Sequence, residues 1–534
     1  MTQILTAILI ALITWYVATM MPMFLRWSCY MGGPLVGGLV CGIIFGNIPY
    51  GLQVGATIQL AYLGAIAVGG TLPSELAIAG YLGTALTMSA GLEASAGLSI
   101  AVMLGSLGLL CRNAYMSLNS LVVQRADKYA EEGNAKKVRL MNQWGSQIVP
   151  FITYFIPSFL AMYFGADALQ ALMNVIPAKF ITALSVSGGL IPALGIALLL
   201  IYVWDKKFIP YFVLGFFLVA YLNLNTMFIA IIGGCVAVIY MFANQKEGAS
   251  AAAAEPEQDA KNLAETKLLT KKDLTTTWLR WICWAQRCYN YERLMGLGFC
   301  QAIANVIVKL FPGKEERAEA LTRHMAFYNT ENNWGAMILG ATCAMEEDRA
   351  MGKPVETEMI DSMKSALMGP LAGIGDSITQ SIVKVILLGI CIEMAAAGNL
   401  LGPVLFIVGF TAYCLIVSYF TFFSGYKMGR SAVTMLLSSD IARSITGALK
   451  IVSMMVIGAM AAANIRANVI VSGNFGGSTV VLQDVLNSIL PKMVPLAVLL
   501  FCTWLLKKKQ KSSIFVLLVL FAIGFALTFL NILG

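Results

Sequence analysis

Residues 208–243 read FIPYFVLGFFLVAYLNLNTMFIAIIGGCVAVIYMFA, and none of these side chains carries a formal charge. A helix that crosses the hydrocarbon core of a bilayer needs about 20 consecutive, mostly apolar residues. Residues 1–25 and 512–534 are also uncharged, and residues 176–204 contain Lys179 as their only charge. Several such stretches are short or interrupted by glycine and proline, which indicates broken helices. The sequence therefore predicts an all-α integral membrane protein, a multi-spanning helical bundle with broken (re-entrant) helices.

The composition of the whole chain agrees with a bilayer environment. Of its 534 residues, 58% are hydrophobic and 12% are charged, and the mean hydropathy is +0.77, whereas soluble domains carry about 25% charged residues. The 11 cysteines include no C-x-x-C pair, and the chain has a single histidine, so we expect neither a zinc site nor a disulfide framework. No phosphate-binding loop or dinucleotide fingerprint occurs, so we expect no metal and no cofactor.

The net charge of +8 comes from basic residues that are gathered in short loops. These loops are residues 125–139, 206–207, 261–272 and 507–511. Lysine and arginine in short loops mark the cytoplasmic side of a membrane protein, so the charge indicates topology and no nucleic-acid partner. We therefore expect a multi-pass protein surrounded by membrane lipid, with its last segment running outward to Gly534.

One polar stretch divides the chain into two membrane units. Around residues 244–274 the sequence becomes polar and mixed in charge, a composition that buries too little apolar surface to fold. We predict a first unit over residues 1–243, a flexible linker over 244–274 and a second unit over 275–534. Charged and apolar residues alternate at helical spacing over 277–364, which predicts amphipathic helices that lie at the cytoplasmic side or pack against the first unit.

Two glycine-rich stretches, one in each unit, combine broken helical patterns with polar side chains. In the first unit, Gly55-Ala-Thr57-Ile-Gln59 leads through a run of glycines to Glu75, and in the second, Met368-Gly-Pro-Leu-Ala-Gly-Ile-Gly-Asp376 is followed closely by Gln380. Discontinuous segments in corresponding parts of two halves are a pointer to a transport site. Close helix packing alone would explain the glycines, but a carboxylate at membrane depth costs about 2.5–3.5 kcal/mol. Carboxylates and amides suit a ligand rich in hydroxyl groups, and we expect a neutral ligand because neither stretch contains lysine or arginine.

His324, the single histidine, has two interpretations. Without a second histidine or a cysteine at ligand spacing, it is not expected to bind metal. A phosphohistidine is one alternative, and a hydrogen-bonding structural residue is the favoured one.

These motifs resemble the mannose-fructose-sorbose family of sugar phosphotransferase systems. The first unit resembles the IIC component over residues 55–75, 127–134 and 210–216. The second unit resembles the IID component, with long matches at residues 289–300, 323–330 and, above all, 367–376. IIC and IID are normally separate chains, so the resemblance implies that both are fused here.

The resemblance implies a sugar permease in the bacterial inner (plasma) membrane. It would bind an extracellular sugar and carry it across, and a partner IIB protein would phosphorylate it with a phosphoryl group supplied through IIA. The expected partners are thus the sugar, cytoplasmic IIA and IIB proteins, lipid and further copies of the chain in a homo-oligomer, expected to be a trimer. No phosphoryl-carrying residue is expected in this chain, which leaves open whether it counts as an enzyme. The expected substrate-binding residues are Thr57, Gln59, Glu75, His324, Asn329, Glu331, Asp376 and Gln380.

The chain departs from the family's usual pattern around these residues. Asn329-Thr-Glu331-Asn-Asn333 stands where the family often has Asn-Thr-Gln-Pro-Phe, and Thr379-Gln380 stands where an aromatic residue is common. Glu75 is displaced by Ser74 from the proline, and Gln59 stands where an acid is frequent. These departures favour a substrate other than plain mannose or glucose, such as an amino sugar or another sugar derivative.

Two other functions remain open at the level of sequence. An ion-coupled secondary transporter of a small polar solute would use Glu75 and Asp376 to bind protons or sodium. A scaffold or receptor would bind sugar without transporting it.

Overall fold

The computed structural model describes residues 3–63, 74–175, 178–202, 204–224, 226–248, 267–429, 440–475, 478–511 and 513–534. Helices dominate these ranges. The strands found there are β1 (Ser472–Phe475) and β2 (Ser478–Val481), an antiparallel pair in which Ser472 lies opposite Val481. The predicted all-α membrane architecture is confirmed, with this one hairpin added.

Twelve α-helices of the first unit are described. In chain order they are α1 (Gln3–Trp15), α2 (Pro34–Ile44), α3 (Ile48–Ala61), α4 (Gly83–Ser89), α5 (Ala94–Glu131), α6 (Ala135–Gln143), α7 (Ile148–Pro150), α8 (Ile156–Val175), α9 (Ala178–Leu190), α10 (Pro192–Tyr202), α11 (Ile209–Leu222) and α12 (Thr226–Gly248). Wider π-helical turns occupy Tyr16–Met20, Phe24–Ser28, Ile78–Leu82 and Phe151–Phe155, and short 3₁₀ turns occupy Gly145–Gln147 and Lys206–Phe208.

The described part of the second unit is helical in the same way. Its α-helices are α13 (Lys271–Trp284), α14 (Gly296–Leu310), α15 (Lys314–His324), α16 (Ala336–Ala350), α17 (Thr357–Gly375), α18 (Lys384–Ala396), α19 (Leu401–Met428), α20 (Asp440–Asn464), α21 (Leu482–Ile489), α22 (Met493–Lys507) and α23 (Ser513–Phe529). A π-helix over Asp376–Val383 joins α17 to α18.

Several helices are long and apolar enough to cross a bilayer. Within the described ranges there are 5 such helices, or up to 6 if α21 and α22, which meet at 76°, form one bent span. Shorter apolar helices, such as Gly296–Leu310 and Phe515–Phe529, accompany them. Long spans mixed with short and bent apolar helices are what the interrupted hydrophobic pattern predicts.

The predicted interruption over residues 368–377 is wrong, because the backbone stays helical throughout. α17, the π-helix and α18 form one continuous rod over Thr357–Ala396. Here the π-helix takes the place of a break and keeps backbone groups hydrogen-bonded within the helix. Gly375 serves a different purpose, since a Cβ atom at this position would overlap the side chain of Glu331.

Two other predicted features fall partly outside the described residues. In the first glycine-rich stretch, α3 ends at Ala61 and residues 64–73 are outside those ranges. The same holds for residues 249–266 of the predicted linker. Both ends of that linker are helical, because α12 extends to Gly248 and α13 begins at Lys271.

The two units share their hydrophobic cores. A first core joins α1, α5 and α8 to α13, α14, α15, α16 and α17. A second core joins α3, α10, α11 and α12 to α18, α20, α22 and α23. Helix α19 contributes Phe406 and Phe410 to the second core and Phe422 and Tyr426 to the first. Each core therefore needs side chains from both units.

The two units approach each other closely where α11 crosses α20. A Cβ atom at Gly215 would overlap the carbonyl oxygen of Met455, and one at Gly458 would overlap that of Phe212. Small residues let membrane helices pack backbone against backbone, which maximises van der Waals contact where lipid removes the hydrophobic driving force.

Candidate functional site

A half-open cleft lies where the two units meet. It encloses about 760 Å³, including space that opens to the outside. The first unit contributes Met23, Trp27, Ser28 and Arg112. The second unit contributes Gln286, Tyr289, residues 329–333, Ala372, Asp376, Gln380, Phe410 and Cys414. The cleft brings together Asn329, Glu331, Asp376 and Gln380 of the residues that the sequence singles out.

Glu331 is held rigidly in the loop before α16. Its carboxylate accepts hydrogen bonds from the backbone N–H groups of Asn333 and Trp334, both at 2.9 Å, and from Asn333 Nδ2 at 3.0 Å. Only 6% of the residue is exposed. Three donors orient this carboxylate, and the missing side chain of Gly375 lets the π-helix approach it closely.

Asp376 begins the π-helix, Gln380 follows four residues later, and Ala372 precedes Asp376 at the same spacing. All three line the cleft, since residues three or four apart share a helix face. Gln380 Oε1 accepts a hydrogen bond from Lys384 Nζ at 3.0 Å. Among the described residues, no hydrogen bond or ion pair involves the carboxylate of Asp376, which leaves it available to a ligand.

Asn329 and Tyr289 form another polar part of the cleft wall. The Tyr289 hydroxyl donates to Asn329 Oδ1 at 3.2 Å. This contact orients the amide, whose Nδ2 group can donate to a ligand.

Arg112 is a cleft-lining residue that the sequence did not single out. It lies in the middle of α5, its side chain is 9% exposed, and its Nη1 is 3.7 Å from Glu75 Oε2. Its guanidinium also lies 5.9 Å from the centre of the Tyr289 ring. Arg112 is the single charged residue over residues 94–124 of this 38-residue helix, and that was a sequence signal in itself, because intramembrane charges are by default functional. The argument that the site lacks a cation was therefore wrong: the cation comes from outside the two glycine-rich stretches.

Glu75 stands behind the cleft. It lines a neighbouring pocket of about 330 Å³, including space open to the outside, together with Arg26, Trp27 and Tyr30. Trp27 lines both spaces. Because Glu75 is 1% exposed and pairs with Arg112, its geometry fits a residue that positions the guanidinium. It does not reach the cleft itself.

Gln59 and Thr57 are not brought to the cleft. Gln59 is fully buried, donates to the Tyr30 hydroxyl at 3.0 Å and accepts from the backbone N–H of Leu35 at 3.3 Å. It thus ties α3 to the start of α2. Thr57 donates to the carbonyl of Gln53 in its own helix at 2.7 Å. Gln59 is thus used in helix packing, and the hydroxyl of Thr57 is satisfied within its own helix.

His324 also lies away from the cleft. It is fully buried at the end of α15, with its Nε2 2.8 Å from Glu346 Oε1, and Arg323 donates to the same carboxylate. Burial lowers the pKa of His324 to about 4, although the hydrogen bond with Glu346 acts in the opposite direction. These contacts favour the structural interpretation of this histidine over the phosphohistidine.

The polar groups of the cleft are of the kind that suits a polyol, and both units supply them. Its polar groups are the Glu331 and Asp376 carboxylates, the Arg112 guanidinium and several amides, set among the apolar side chains of Met23, Trp27 and Phe410. A few placed polar groups in a largely apolar pocket orient a ligand.

Comparison with known proteins matches both halves of the chain. The family model of the PTS system sorbose-specific IIC component matches residues 4–239. The model of the PTS system mannose/fructose/sorbose family IID component matches residues 268–533.

Individual relatives match one half each. The mannose-specific EIID component of Escherichia coli (strain K12) is 32% identical over 275 residues, covering 50% of this chain and 96% of the relative. The fructose permease IID component of Bacillus subtilis (strain 168) is 33% identical over 254 residues, covering 46% and 91%. The N-acetylgalactosamine permease IIC component 1 of Escherichia coli (strain K12) is 29% identical over 219 residues, covering 41% and 82%.

A solved structure of relatives also matches half of the chain. A chain from the cryo-EM structure of the mannose transporter ManYZ in complex with microcin E492 is 32% identical, with a TM-score of 0.30, and covers 50% of this chain and 100% of its own length. The two family matches follow one another along a single polypeptide. This chain therefore belongs to the mannose/fructose/sorbose family of sugar phosphotransferase systems and joins a IIC component and a IID component in one multi-pass membrane protein.

Proposed function

We propose that the cleft between the two units is the sugar-binding site of this permease. The observation that carries the proposal is the pair of carboxylates in one cleft: Glu331 is fixed by three donors, and the Asp376 carboxylate makes no hydrogen bond among the described residues, although the charge of Lys384 acts on it. Carboxylates accept hydrogen bonds from adjacent hydroxyl groups, and the Arg112 guanidinium donates to ring or hydroxyl oxygens. A bound sugar would contact side chains of both units and close the cleft between them.

The chain itself moves the sugar, and the phosphoryl chemistry belongs to cytoplasmic partners. As a IIC–IID permease, it serves a phosphotransferase system in which a IIB protein is the cytoplasmic partner. We propose that IIB phosphorylates the sugar as it reaches the cytoplasmic side, after receiving the phosphoryl group from a IIA protein.

The two shared cores favour one form of alternating access. The cleft is lined by Trp27, beside the first core, and by Phe410 and Cys414 of the second core. The π-helix lies between α17 in one core and α18 in the other. We infer that the two cores move against each other and expose the cleft to either side. The moving bodies are then not the IIC and IID units, since each core contains parts of both.

The substrate is an amino sugar or another sugar derivative. The side chains in the cleft that depart from the family's usual pattern include Glu331, Asn332 and Gln380, which add hydrogen-bonding groups to the wall. Such groups can pair with an amino or acylamino substituent, which plain mannose lacks. Uptake of a panel with mannose, glucose, fructose, N-acetylgalactosamine and glucosamine tests this assignment, and mannose as the best substrate would overturn it.

Substitution of the two carboxylates tests the site. We expect Asp376→Asn and Glu331→Gln each to abolish uptake and sugar binding while the protein still inserts in the membrane. The matched control is Glu358→Gln, because Glu358 is an exposed acid at the start of α17 and does not line the cleft. Normal sugar binding by both cleft variants would show that the sugar binds elsewhere.

The energy source separates this function from the ion-coupled alternative. Phosphotransferase uptake requires phosphoenolpyruvate and continues in the presence of an uncoupler, whereas ion-coupled uptake collapses. A scaffold or receptor would bind labelled sugar without accumulating it in cells. Accumulation that depends on phosphoenolpyruvate and appears as sugar phosphate supports the permease.

We further propose that residues 244–274 act as a linker and that the chain assembles as a homo-oligomer, a trimer being the expected state. Fusion fixes the ratio of the units at one to one and keeps their effective concentration high. Native mass spectrometry of the purified protein measures the oligomeric state, and a stable monomer would contradict the proposed assembly.

A further inference from the structure

A second cleft lies at the end of α19 and shares no lining residue with the sugar site. It is half-open and encloses about 820 Å³, including space open to the outside. Leu269, Leu274, Tyr419, Phe423 and Tyr426 form its apolar and aromatic wall, and three lysines surround them: Lys267, Lys271 and Lys427.

The wall of this cleft is preformed. Helices α13 and α19 meet where Trp278 Nε1 donates to Ser418 Oγ at 3.1 Å, with the Trp278 ring edge-on to Tyr419 at 5.3 Å. Beyond this crossing, the backbone N–H of Leu269 donates to one carboxylate oxygen of Glu347 at 2.7 Å, and the Tyr426 hydroxyl donates to the other. The segment before α13 is thus tied to α19 and α16.

The three lysines give the lining of the cleft a net positive charge, since the lining contains no acidic residue. The Glu347 carboxylate lies behind the wall, where it accepts two hydrogen bonds. All three lysines are exposed, and within the described ranges none of their ammonium groups has a carboxylate partner. Lys267 Nζ lies 5.1 Å from the centre of the Tyr426 ring, so aromatic and cationic groups face the same space.

An apolar face leads from this cleft along α19. The helix is a candidate span over Leu401–Lys427. The exposed side chains on it recur at helical spacing and include Val404, Leu405, Val408, Ile416, Tyr419 and Phe420, of which Ile416 is 68% and Phe420 66% exposed. Tyr419 belongs both to this face and to the cleft. A ligand with a charged head and long apolar chains would contact both.

We propose that this cleft binds the headgroup of an anionic phospholipid, such as phosphatidylglycerol, whose acyl chains lie along the exposed face of α19. Lysines at the end of a spanning helix attract anionic headgroups, and amphipathic aromatic side chains favour the membrane–water boundary. Lys267 precedes α13 directly and Lys427 ends the span, so one lipid would join the start of the second unit to α19. The bound lipid would hold the junction with the predicted linker at the membrane surface.

The experiment is native mass spectrometry of the full chain in detergent with added lipids of equal acyl length. We expect phosphatidylglycerol to bind at least tenfold more tightly than phosphatidylcholine. The triple variant Lys267→Gln, Lys271→Gln, Lys427→Gln should lose about a hundredfold in affinity for phosphatidylglycerol, because each lysine near an anionic surface contributes about fivefold.

A control triple variant removes the same number of positive charges at positions outside the cleft. Lys128→Gln, Lys136→Gln and Lys314→Gln remove three exposed lysines that do not line it, and this variant should bind phosphatidylglycerol as the unchanged chain does. Equal losses in both triple variants, or none in the first, would overturn the proposal. Competition by millimolar inorganic phosphate would also overturn it, since that result indicates a small-anion site with no part for the acyl chains.

Discussion

Replacement of Glu75 by glutamine tests whether this acid acts through Arg112. The two side chains are 2% and 9% exposed, and their charged atoms lie 3.7 Å apart. At an effective dielectric constant of about 20, two unit charges at this distance attract by about 4 kcal/mol. Glu75→Gln therefore leaves the guanidinium without its fixed partner, and we expect Arg112 to leave the position from which it contacts the sugar.

The expected loss follows from the contact that Arg112 makes with the ligand. A hydrogen bond from a charged group contributes about 1.5–3 kcal/mol, so Arg112→Gln should weaken sugar binding about 10- to 100-fold, and Glu75→Gln should weaken it by a similar factor. In the Arg112→Gln background, Glu75→Gln should change the dissociation constant less than twofold, because residues that act through one contact are not additive.

Equilibrium binding of the labelled sugar is measured on four purified proteins: the unchanged chain, each single variant and the double variant. Together they form a double-mutant cycle. Glu93→Gln is the matched control, since Glu93 is exposed next to the start of the same helix, α5. An equal loss from Glu75→Gln with and without Arg112 would refute the reasoning, because it would mean that Glu75 contacts the sugar directly.

Three further predictions follow from the packing and the buried charges. Gly458→Val should reduce the yield of folded protein in size-exclusion chromatography, because the new side chain would overlap the carbonyl of Phe212, whereas Gly234→Val, which meets no atom within 4 Å, should not. The thermal stability of the purified protein should fall as the pH is lowered from about 6.5 towards 4: the pKa of His324 is about 4 in the folded state and about 6.5 when unfolded, so the unfolded chain binds the extra proton. A His324→Gln variant should lose part of this pH dependence, and an unchanged profile would contradict it. Residues 1–248 and 267–534, produced together as separate chains, should copurify, since both cores need both pieces; recovery of each piece alone in folded form would refute this.

Much of the architecture could be predicted from residue types alone. Uncharged stretches such as 208–243 required a bilayer, and Asp376 and Gln380 could be singled out as polar residues in an otherwise apolar stretch. The acid and amides of residues 329–333 could be assigned to the second unit's part of the site, and these positions line the same cleft. The membrane architecture depends on composition, whereas the assignment of residues 329–333 depends on the resemblance to the IID component.

The rest of the site depends on tertiary contacts that the sequence does not display. Gln59 looks like a ligand-binding amide, but its partners Tyr30 and Leu35 lie 29 and 24 residues away in the chain. Nothing local distinguishes this pairing from a binding role. Arg112 reaches the cleft because α5 passes beside the second unit, where Tyr289 lies. The glycines near Asp376 were interpreted as a break, whereas Gly375 provides room for Glu331.

The shared cores also set the order of events while the protein is being made. When the first 243 residues have entered the membrane, the helices of the second unit that complete either core have not yet been synthesised. Core side chains, and buried polar groups such as Arg112, then lack part of their final contacts. Such a partly folded intermediate is prone to aggregation and misassembly. A chain that stops early in the second half therefore lacks the helices that complete the two cores and leaves the core side chains of the first unit uncovered.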